Sequence, residues 1–92
     1  MSDPSIKRRL TRAKEKAMKD LSRIGYKIVP SDNSTFCICG VRKNELRMIR
    51  VVVDEITNED VKLIEGIQTP EVCSREIWCK LEGIRDFVIK EV

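Results

Sequence analysis

The sequence predicts one α/β (α+β) domain over residues 1–92, with the element order α-β-β-β-α-β-β and one central mixed sheet. The chain has 92 residues, of which 41% are hydrophobic, enough for one modest core and too few for two. Residues 1–24 repeat apolar side chains at the helical period, whereas residues 25–92 mostly show strand-like runs. We therefore divide the domain into an N-terminal helix (1–24) and a body of sheet and second helix (25–92).

The first helix is predicted over residues 4–24. Asp3 can cap it, and Pro4 suits the first helical position, where a missing N–H costs nothing. Gly25 supplies a C-terminal stop, since glycine adopts the left-handed cap conformation without strain. We expect the helix to pack through one apolar stripe with spacings of three and four residues: Ile6, Leu10, Ala13, Ala17, Leu21 and Ile24.

A second row on the same helix is basic and is called the basic row below: Arg8, Arg12, Lys16, Lys19 and Arg23. The chain has a net charge of +3, but residues 1–24 hold eight basic and three acidic side chains, a net +5, and residues 25–92 carry −2. Such a row is typical of a solvated helix face. Because it contains no acidic residue, it is also suited to contacting the phosphates of a nucleic acid.

The first three strands are predicted from apolar runs separated by turn residues. A short strand over residues 26–29 ends at Pro30, and residues 31–34 form a polar loop. A second strand covers residues 35–41, and residues 42–45 form a hairpin turn. Residues 46–56 form a third strand whose apolar run is too continuous for a half-exposed edge, so we expect it to be covered on both faces.

A short helix and two further strands complete the prediction. Thr57 and Asp60 resemble a capping box, and Val61 and Ile64 give the following helix an apolar face. Residues 68–74 are a connection of undefined structure. Residues 75–81 alternate as a strand, residues 82–83 suit a tight turn, and residues 84–92 form the last strand.

The composition excludes several function classes. The chain contains no histidine, so His-containing metal sites and Ser-His or Cys-His nucleophile pairs are ruled out. No apolar run approaches the roughly 18 residues that span a bilayer, which predicts no membrane association. The charged N-terminus predicts no secretory signal, and we therefore expect a cytoplasmic location.

The four cysteines leave three interpretations open. Their spacings are C-x-C (Cys37 and Cys39) and C-x5-C (Cys73 and Cys79), which differ from the paired C-x2-C of a zinc ribbon. In a strand, Cys37 and Cys39 would point to the same face. We expect buried structural thiols, with a metal site or a disulfide such as Cys39–Cys79 as alternatives.

The order of these elements resembles a known family. A basic helix ends in residues 25–29, a polar loop, a strand, a turn and an apolar strand follow, and a second helix precedes the segment Arg75-Glu76-Ile77-Trp78-Cys79-Lys80. This pattern is similar to the minimal core of the restriction-endonuclease-like, or PD-(D/E)xK, superfamily, which includes the archaeal Holliday-junction resolvases. The resemblance covers roughly residues 6–90 and implies a restriction-endonuclease-like fold.

The resemblance also implies a metal site that this sequence lacks. Family members bind Mg²⁺ through an acidic residue on the second core strand and a carboxylate-x-lysine pair on the third. Cys37 stands at the acidic position, and Arg50 and Val52 stand at the pair. Arginine would repel the metal and valine cannot orient a water, so we expect no catalytic residues and no cofactor. Glu15 is the candidate for the helix-borne glutamate of the resolvase branch.

Other acidic residues can form a metal site only if they lie near Cys37, Arg50 and Val52. Asp32 falls in the loop before the second strand, and Asp54 and Glu55 lie at the far end of the third strand, about 13 Å from Arg50. We interpret Asp54 and Glu55 as a strand-end turn. An active Mg²⁺-dependent nuclease with migrated ligands therefore stays an alternative.

We accordingly expect a catalytically degenerate nuclease-like domain that binds DNA through the basic row. A small homodimeric interaction protein of unknown process is the second hypothesis, and zinc binding is a weaker one.

Trp78 is expected to pack in the sheet, with stacking on a base as the alternative. Arg42, Lys43 and Arg47, around the hairpin turn, could extend the basic surface or be ordinary turn residues.

Overall fold

The computed structural model describes residues 4–30, 36–69, 71 and 73–92. It confirms the predicted element order: α1 (Pro4–Arg23), β1 (Lys27–Pro30), β2 (Ile38–Arg42), β3 (Glu45–Val53), α2 (Asn58–Glu65), β4 (Cys73–Lys80) and β5 (Val88–Glu91). The chain is thus a small α+β domain with two helices among the described residues. The predicted cap Asp3 and the predicted loop 31–34 lie outside the described residues.

The five strands form one mixed sheet in the order β1-β2-β3-β4-β5. Neighbouring strands are antiparallel except β3 and β4, which are parallel. Parallel neighbours need a crossover, and α2 with its flanking segments provides it. The strand β3 therefore lies at the centre of the sheet, with β1 and β5 at the edges.

Helix α1 packs on one face of the sheet through its predicted stripe. Ala13, Ala17 and Leu21 are buried there, whereas the stripe ends Ile6 and Ile24 are exposed. The cluster beneath the helix is called the α1-side core: Ala13, Ala17, Leu21, Tyr26, Ile38, Ile49, Val51 and Trp78.

The C-terminus of α1 is closed by a Schellman motif. The amide of Tyr26 donates to the carbonyl of Leu21 (3.1 Å), and the amide of Gly25 donates to the carbonyl of Ser22 (3.1 Å). Gly25 has φ +97°, the left-handed conformation that glycine adopts without strain. The predicted stop at Gly25 is confirmed.

The opposite face of the sheet is covered by a second cluster, the α2-side core. Phe36, Ile64 and Ile77 are fully buried in it, and Met48 and Val52 of β3 pack against them. Since Ile49 and Val51 belong to the α1-side core, β3 is covered on both faces, as predicted. The capping box of α2 is also confirmed: Thr57 Oγ1 accepts from the Asp60 amide (3.2 Å), and Asp60 Oδ2 accepts from the Thr57 amide (2.9 Å).

Several predicted strand boundaries are wrong. Strand β2 begins at Ile38 rather than at residue 35, and β4 begins at Cys73 rather than at residue 75. Strand β3 ends at Val53 rather than at residue 56, because Asp54 has φ +71° and turns the chain out of the ladder. Strand β5 begins at Val88 rather than at residue 84. The Ile84 amide donates to the Leu81 carbonyl (3.3 Å), and the Lys80 ammonium donates to the carbonyls of Leu81 and Ile84, so a turn occupies the predicted start of the strand.

Candidate nucleic-acid interface

The basic row lies on the side of α1 that faces away from the sheet. Burial of Ala13 and Ala17 fixes the rotation of the helix, and Arg8, Arg12, Lys19 and Arg23 are consequently exposed. The row from residue 8 to residue 23 is about 22 Å long at 1.5 Å per residue. Within the described part of the chain, none of these four side chains forms an ion pair.

Lys16 differs from the other four members of the basic row. It is half-buried, its Nζ lies 2.8 Å from Oδ2 of Asp20, and the same atom lies 5.2 Å from the ring centre of Phe87. An ion pair four residues along a helix is worth only a few tenths of a kcal/mol, so this contact positions Lys16 more than it stabilises the fold. The free part of the row therefore comprises four cations.

An open groove of about 650 Å³ continues the basic row toward the segment before β5. Lys16, Lys19 and Arg23 line one side, and Arg85 with Asp86 lines the other. Sequence reasoning missed Arg85, which the prediction placed in a regular strand. No pattern in the sequence identifies it, because only the packing of Phe87 against Trp78 (ring centres 5.2 Å apart) brings this segment to the helix.

The N-terminal half of α1 is anchored to the end of β3. Arg9 donates through both terminal nitrogens to the Asp54 carboxylate. This hydrogen bond lowers the pKa of Asp54 below its usual value. Asp54 is therefore engaged as the partner of Arg9, which agrees with its interpretation as a strand-end residue.

The three positions implied by the family resemblance do not converge on one site. Cys37 packs against the α1-side core, whereas Val52 packs against the α2-side core. Arg50 points to the start of α2, where its Nε donates to Oδ1 of Asp60 (2.9 Å). Glu15 lies on the exposed side of α1. Among the described residues, no group of three or more Cys, Asp or Glu is placed to hold a metal ion, and Asp32 lies outside them.

The pair Arg50–Asp60 joins the central strand to α2. Burial by itself would raise the pKa of Asp60, but hydrogen bonds from the Thr57 backbone, from Arg50 and from the Thr57 hydroxyl outweigh it and keep this pKa below its usual value. Arg50 therefore holds α2 to the central strand at the position where the resemblance implies a carboxylate.

A buried polar network occupies the sheet near the C-terminal end of α1, and we call it the Glu76 network. Glu76 is 5% exposed and accepts hydrogen bonds from Arg47, from Ser74 Oγ (2.7 Å) and from Trp78 Nε1 (3.1 Å). Burial opposes ionisation, but these hydrogen bonds outweigh it and hold the pKa of Glu76 below its usual value. Trp78 is 4% exposed, so it packs in the sheet as expected and is not available to stack on a base.

The residues around the hairpin turn add little to the basic surface. Arg47 is half-buried in the Glu76 network. Arg42 stacks on Tyr26 (4.6 Å to the ring centre) and pairs with Glu45, and Lys43 is an exposed turn residue with φ +48°. Arg47 therefore does not extend the basic surface, and the alternative in which it does so is wrong.

All four cysteines are free thiols. Cys73 and Cys79 are buried, and burial raises the pKa of both, as it does for Cys39. The expectation that Cys37 and Cys39 share a face is wrong, because Cys37 precedes β2 and packs on the α1-side core while Cys39 pairs with Met48 of the α2-side core. The Cys39–Cys79 disulfide is not formed.

Comparisons of the chain with models of protein families, with curated proteins and with solved structures find no match. None of the described helices is long and apolar enough to cross a membrane.

Proposed function

We propose that this protein binds DNA through the basic row of α1 and that its scaffold is restriction-endonuclease-like without the catalytic site. The observation that carries the proposal is the row itself: four exposed cations on about 22 Å of rigid helix, with no ion pair among the described residues. Long cationic side chains held at fixed spacing on one face are suited to phosphates along a duplex.

The scaffold supports the same proposal. The basic first helix, the antiparallel strands β1 to β3 and the parallel neighbour β4 after a second helix agree with what the family resemblance implies. The positions of the metal ligands hold Cys37, Arg50 and Val52, and Arg50 pairs with Asp60. A scaffold of this kind keeps its surface for nucleic acid while it lacks the means to hydrolyse it.

Counterion release sets the expected size of the effect. If the four exposed cations each neutralise one phosphate, log K falls with log salt with a slope of about −3.6. Raising the salt from about 50 to about 200 mM then weakens binding roughly 100-fold. This steep dependence distinguishes phosphate contact from an ordinary solvated helix face.

The test is fluorescence anisotropy with labelled duplex and four-way junction of about 20 base pairs per arm. We compare the wild type with Arg12→Gln/Lys19→Gln/Arg23→Gln, which removes three charges from the row. The matched control is Lys27→Gln/Lys43→Gln/Lys62→Gln, which removes three exposed charges outside α1 and β5. The row variant should lose at least tenfold in affinity and bring the salt slope close to −1.

Two outcomes would overturn the proposal. Absence of binding by the wild type at about 50 mM salt excludes the nucleic-acid function, and equal losses in the row variant and the control exclude the row as the interface. The same samples are incubated with Mg²⁺ or Mn²⁺. Intact substrate is expected, and cleavage would instead support the active nuclease with migrated ligands.

A further inference from the structure

Strand β5 is an exposed strand at one edge of the sheet. All four of its residues are exposed, and Val88 and Ile89 each leave 48% of their surface in contact with solvent. Ile84, in the turn before the strand, is 49% exposed. No described strand pairs with the outer edge of β5, so its free backbone groups are a template for another strand.

Residues 84–92, which contain β5, can pair favourably with the same residues of a second copy that runs antiparallel. Residues 84–92 read Ile-Arg-Asp-Phe-Val-Ile-Lys-Glu-Val. When two copies run antiparallel with Val88 opposite Val88, each apolar residue faces an apolar residue and each charge faces the opposite charge: Ile84 with Val92, Arg85 with Glu91, Asp86 with Lys90, and Phe87 with Ile89. Opposite charges and apolar pairs directly across a ladder are stabilising, whereas like charges there are destabilising.

The backbone of β5 presents the groups that this register needs. The Val92 amide donates to the Arg75 carbonyl (2.9 Å), and in the same ladder Ile77 pairs with Lys90 and Cys79 with Val88. Since alternate residues of an antiparallel strand turn their N–H and C=O groups to opposite sides, Ile89 and Glu91 turn theirs outward. With Val88 on the two-fold axis, the outward groups of Ile89 face Phe87 of the second copy, which makes a hydrogen-bonded pair.

The other edge of the sheet lacks these properties. Strand β1 is as short as β5 but ends at Pro30, which has no N–H to donate. Its sequence, Lys27-Ile28-Val29-Pro30, places no acidic residue opposite Lys27 in an antiparallel pair of copies. A second copy therefore fits β5 and not β1.

We propose that two copies of this chain pair antiparallel through residues 84–92 and join their sheets edge to edge. The turn before β5 straightens into the ladder, so the strand gains its predicted length only in the dimer. A pair of strands this short buries less than the roughly 1,600 Å² of a standard interface, and we expect a dissociation constant on the order of 10 µM. The two-fold axis is perpendicular to the sheet, so both α1 helices lie on the same face of the dimer.

The test is sedimentation velocity from about 1 to about 500 µM, without nucleic acid, on charge variants at one cross-strand pair. Lys90→Asp and Asp86→Lys each place like charges opposite one another twice per dimer, and each should weaken the dimer at least tenfold. Exchanging the two charges, in Asp86→Lys/Lys90→Asp, should restore the dissociation constant to within about threefold of the wild type. Val88→Arg puts two cations on the axis and should leave a monomer.

The control is Lys27→Asp on β1, which should leave the dimer unchanged; circular dichroism of each variant confirms folding. A wild type that stays monomeric at the highest concentration overturns the proposal. Disruption of the dimer by Lys27→Asp would also overturn it. So would a double variant Asp86→Lys/Lys90→Asp whose dimer is weaker than that of either single variant. Because no nucleic acid is present, these results are independent of the DNA-binding proposal.

Discussion

Replacing Glu76 by glutamine should destabilise the fold strongly although the two side chains have almost the same shape. Glu76 is buried and accepts hydrogen bonds from Arg47, Ser74 and Trp78. Glutamine keeps one acceptor oxygen and replaces the other with an NH2 group that only donates, and because Arg47 donates to both oxygens of Glu76, one N–H of Arg47 then faces a donor in either orientation of the amide. The substitution also leaves the half-buried guanidinium of Arg47 without its counter-charge.

The size of the loss follows from the burial of the pair. Removing one partner of a buried ion pair costs about 3–5 kcal/mol. Because Arg47 keeps 19% of its side chain exposed, against 7% for Glu76, we take the lower end, about 3 kcal/mol. For a domain of this size, whose stability is on the order of 5–10 kcal/mol, this lowers Tm by roughly 12–24 °C.

Thermal unfolding monitored by circular dichroism and by fluorescence measures this loss. Trp78 is the only tryptophan and its Nε1 donates to Glu76, so its emission reports on the network itself. The matched control is Glu65→Gln, which removes an exposed carboxylate at the end of α2 and should change Tm by no more than about 2–4 °C.

The destabilisation caused by Glu76→Gln should also depend on pH and should be smaller in acid. The hydrogen bonds hold the pKa of Glu76 below its usual value. The stabilisation by its carboxylate is therefore fully present above the unfolded-state pKa of about 4.3 and is lost as pH falls through the lower folded-state pKa. The difference between wild type and Glu76→Gln should be largest near pH 7 and should shrink below about pH 4. A Tm change under about 4 °C at pH 7, or a difference that does not shrink in acid, would show that the Glu76 carboxylate does not stabilise the fold.

Three further predictions concern the cap, the turn and the thiols. Thr57→Ala removes the capping box of α2 and should cost about 1 kcal/mol in urea unfolding; an unchanged midpoint would contradict it. Gly25→Ala puts a side chain at φ +97° and should cost about 1 kcal/mol or more in the same assay, whereas a more stable variant would exclude strain at this position. Cys73 and Cys79, buried and with raised pKa values, should react with a thiol reagent at pH 8 far more slowly in the folded protein than in denaturant; equal rates would show that they are accessible.

Local patterns predicted most of the elements because their causes are local. The helical spacing of Ala13, Ala17 and Leu21 sets which side of α1 is buried, and Gly25 ends that helix through its own backbone conformation. The pair Thr57 and Asp60 starts α2 with hydrogen bonds that span only three residues. The apolar run of β3 predicts cover on both faces for a similar reason, because adjacent side chains of a strand point to opposite sides of the sheet.

The predictions of strand boundaries and side-chain contacts are wrong where residues distant in the sequence set the local structure. The length of β5 depends on a turn that Lys80 holds together, and no strand propensity reveals that contact. The sequence predicts Arg47 beside the hairpin turn, where it could extend the basic surface. The parallel register of β3 and β4 instead sets Arg47 beside Ser74 and lets it donate a hydrogen bond to Glu76. The two cysteines of the C-x-C pair separate because β2 starts only at Ile38, after Cys37.

The order of the elements, the buried side of α1 and the exposure of four members of its basic row follow from the amino-acid pattern, because each depends on periodicity within one segment. Which of the other cations remain without an acidic partner depends on contacts between distant segments of the chain. Arg47 pairs with Glu76 of the neighbouring strand, and Arg85 lies in the groove beside α1. The pair of Lys16 with Asp20, by contrast, lies within one helix and depends on local spacing. An ion pair needs two groups within about 4 Å, and for groups far apart in the chain that distance is set by the packing of the sheet.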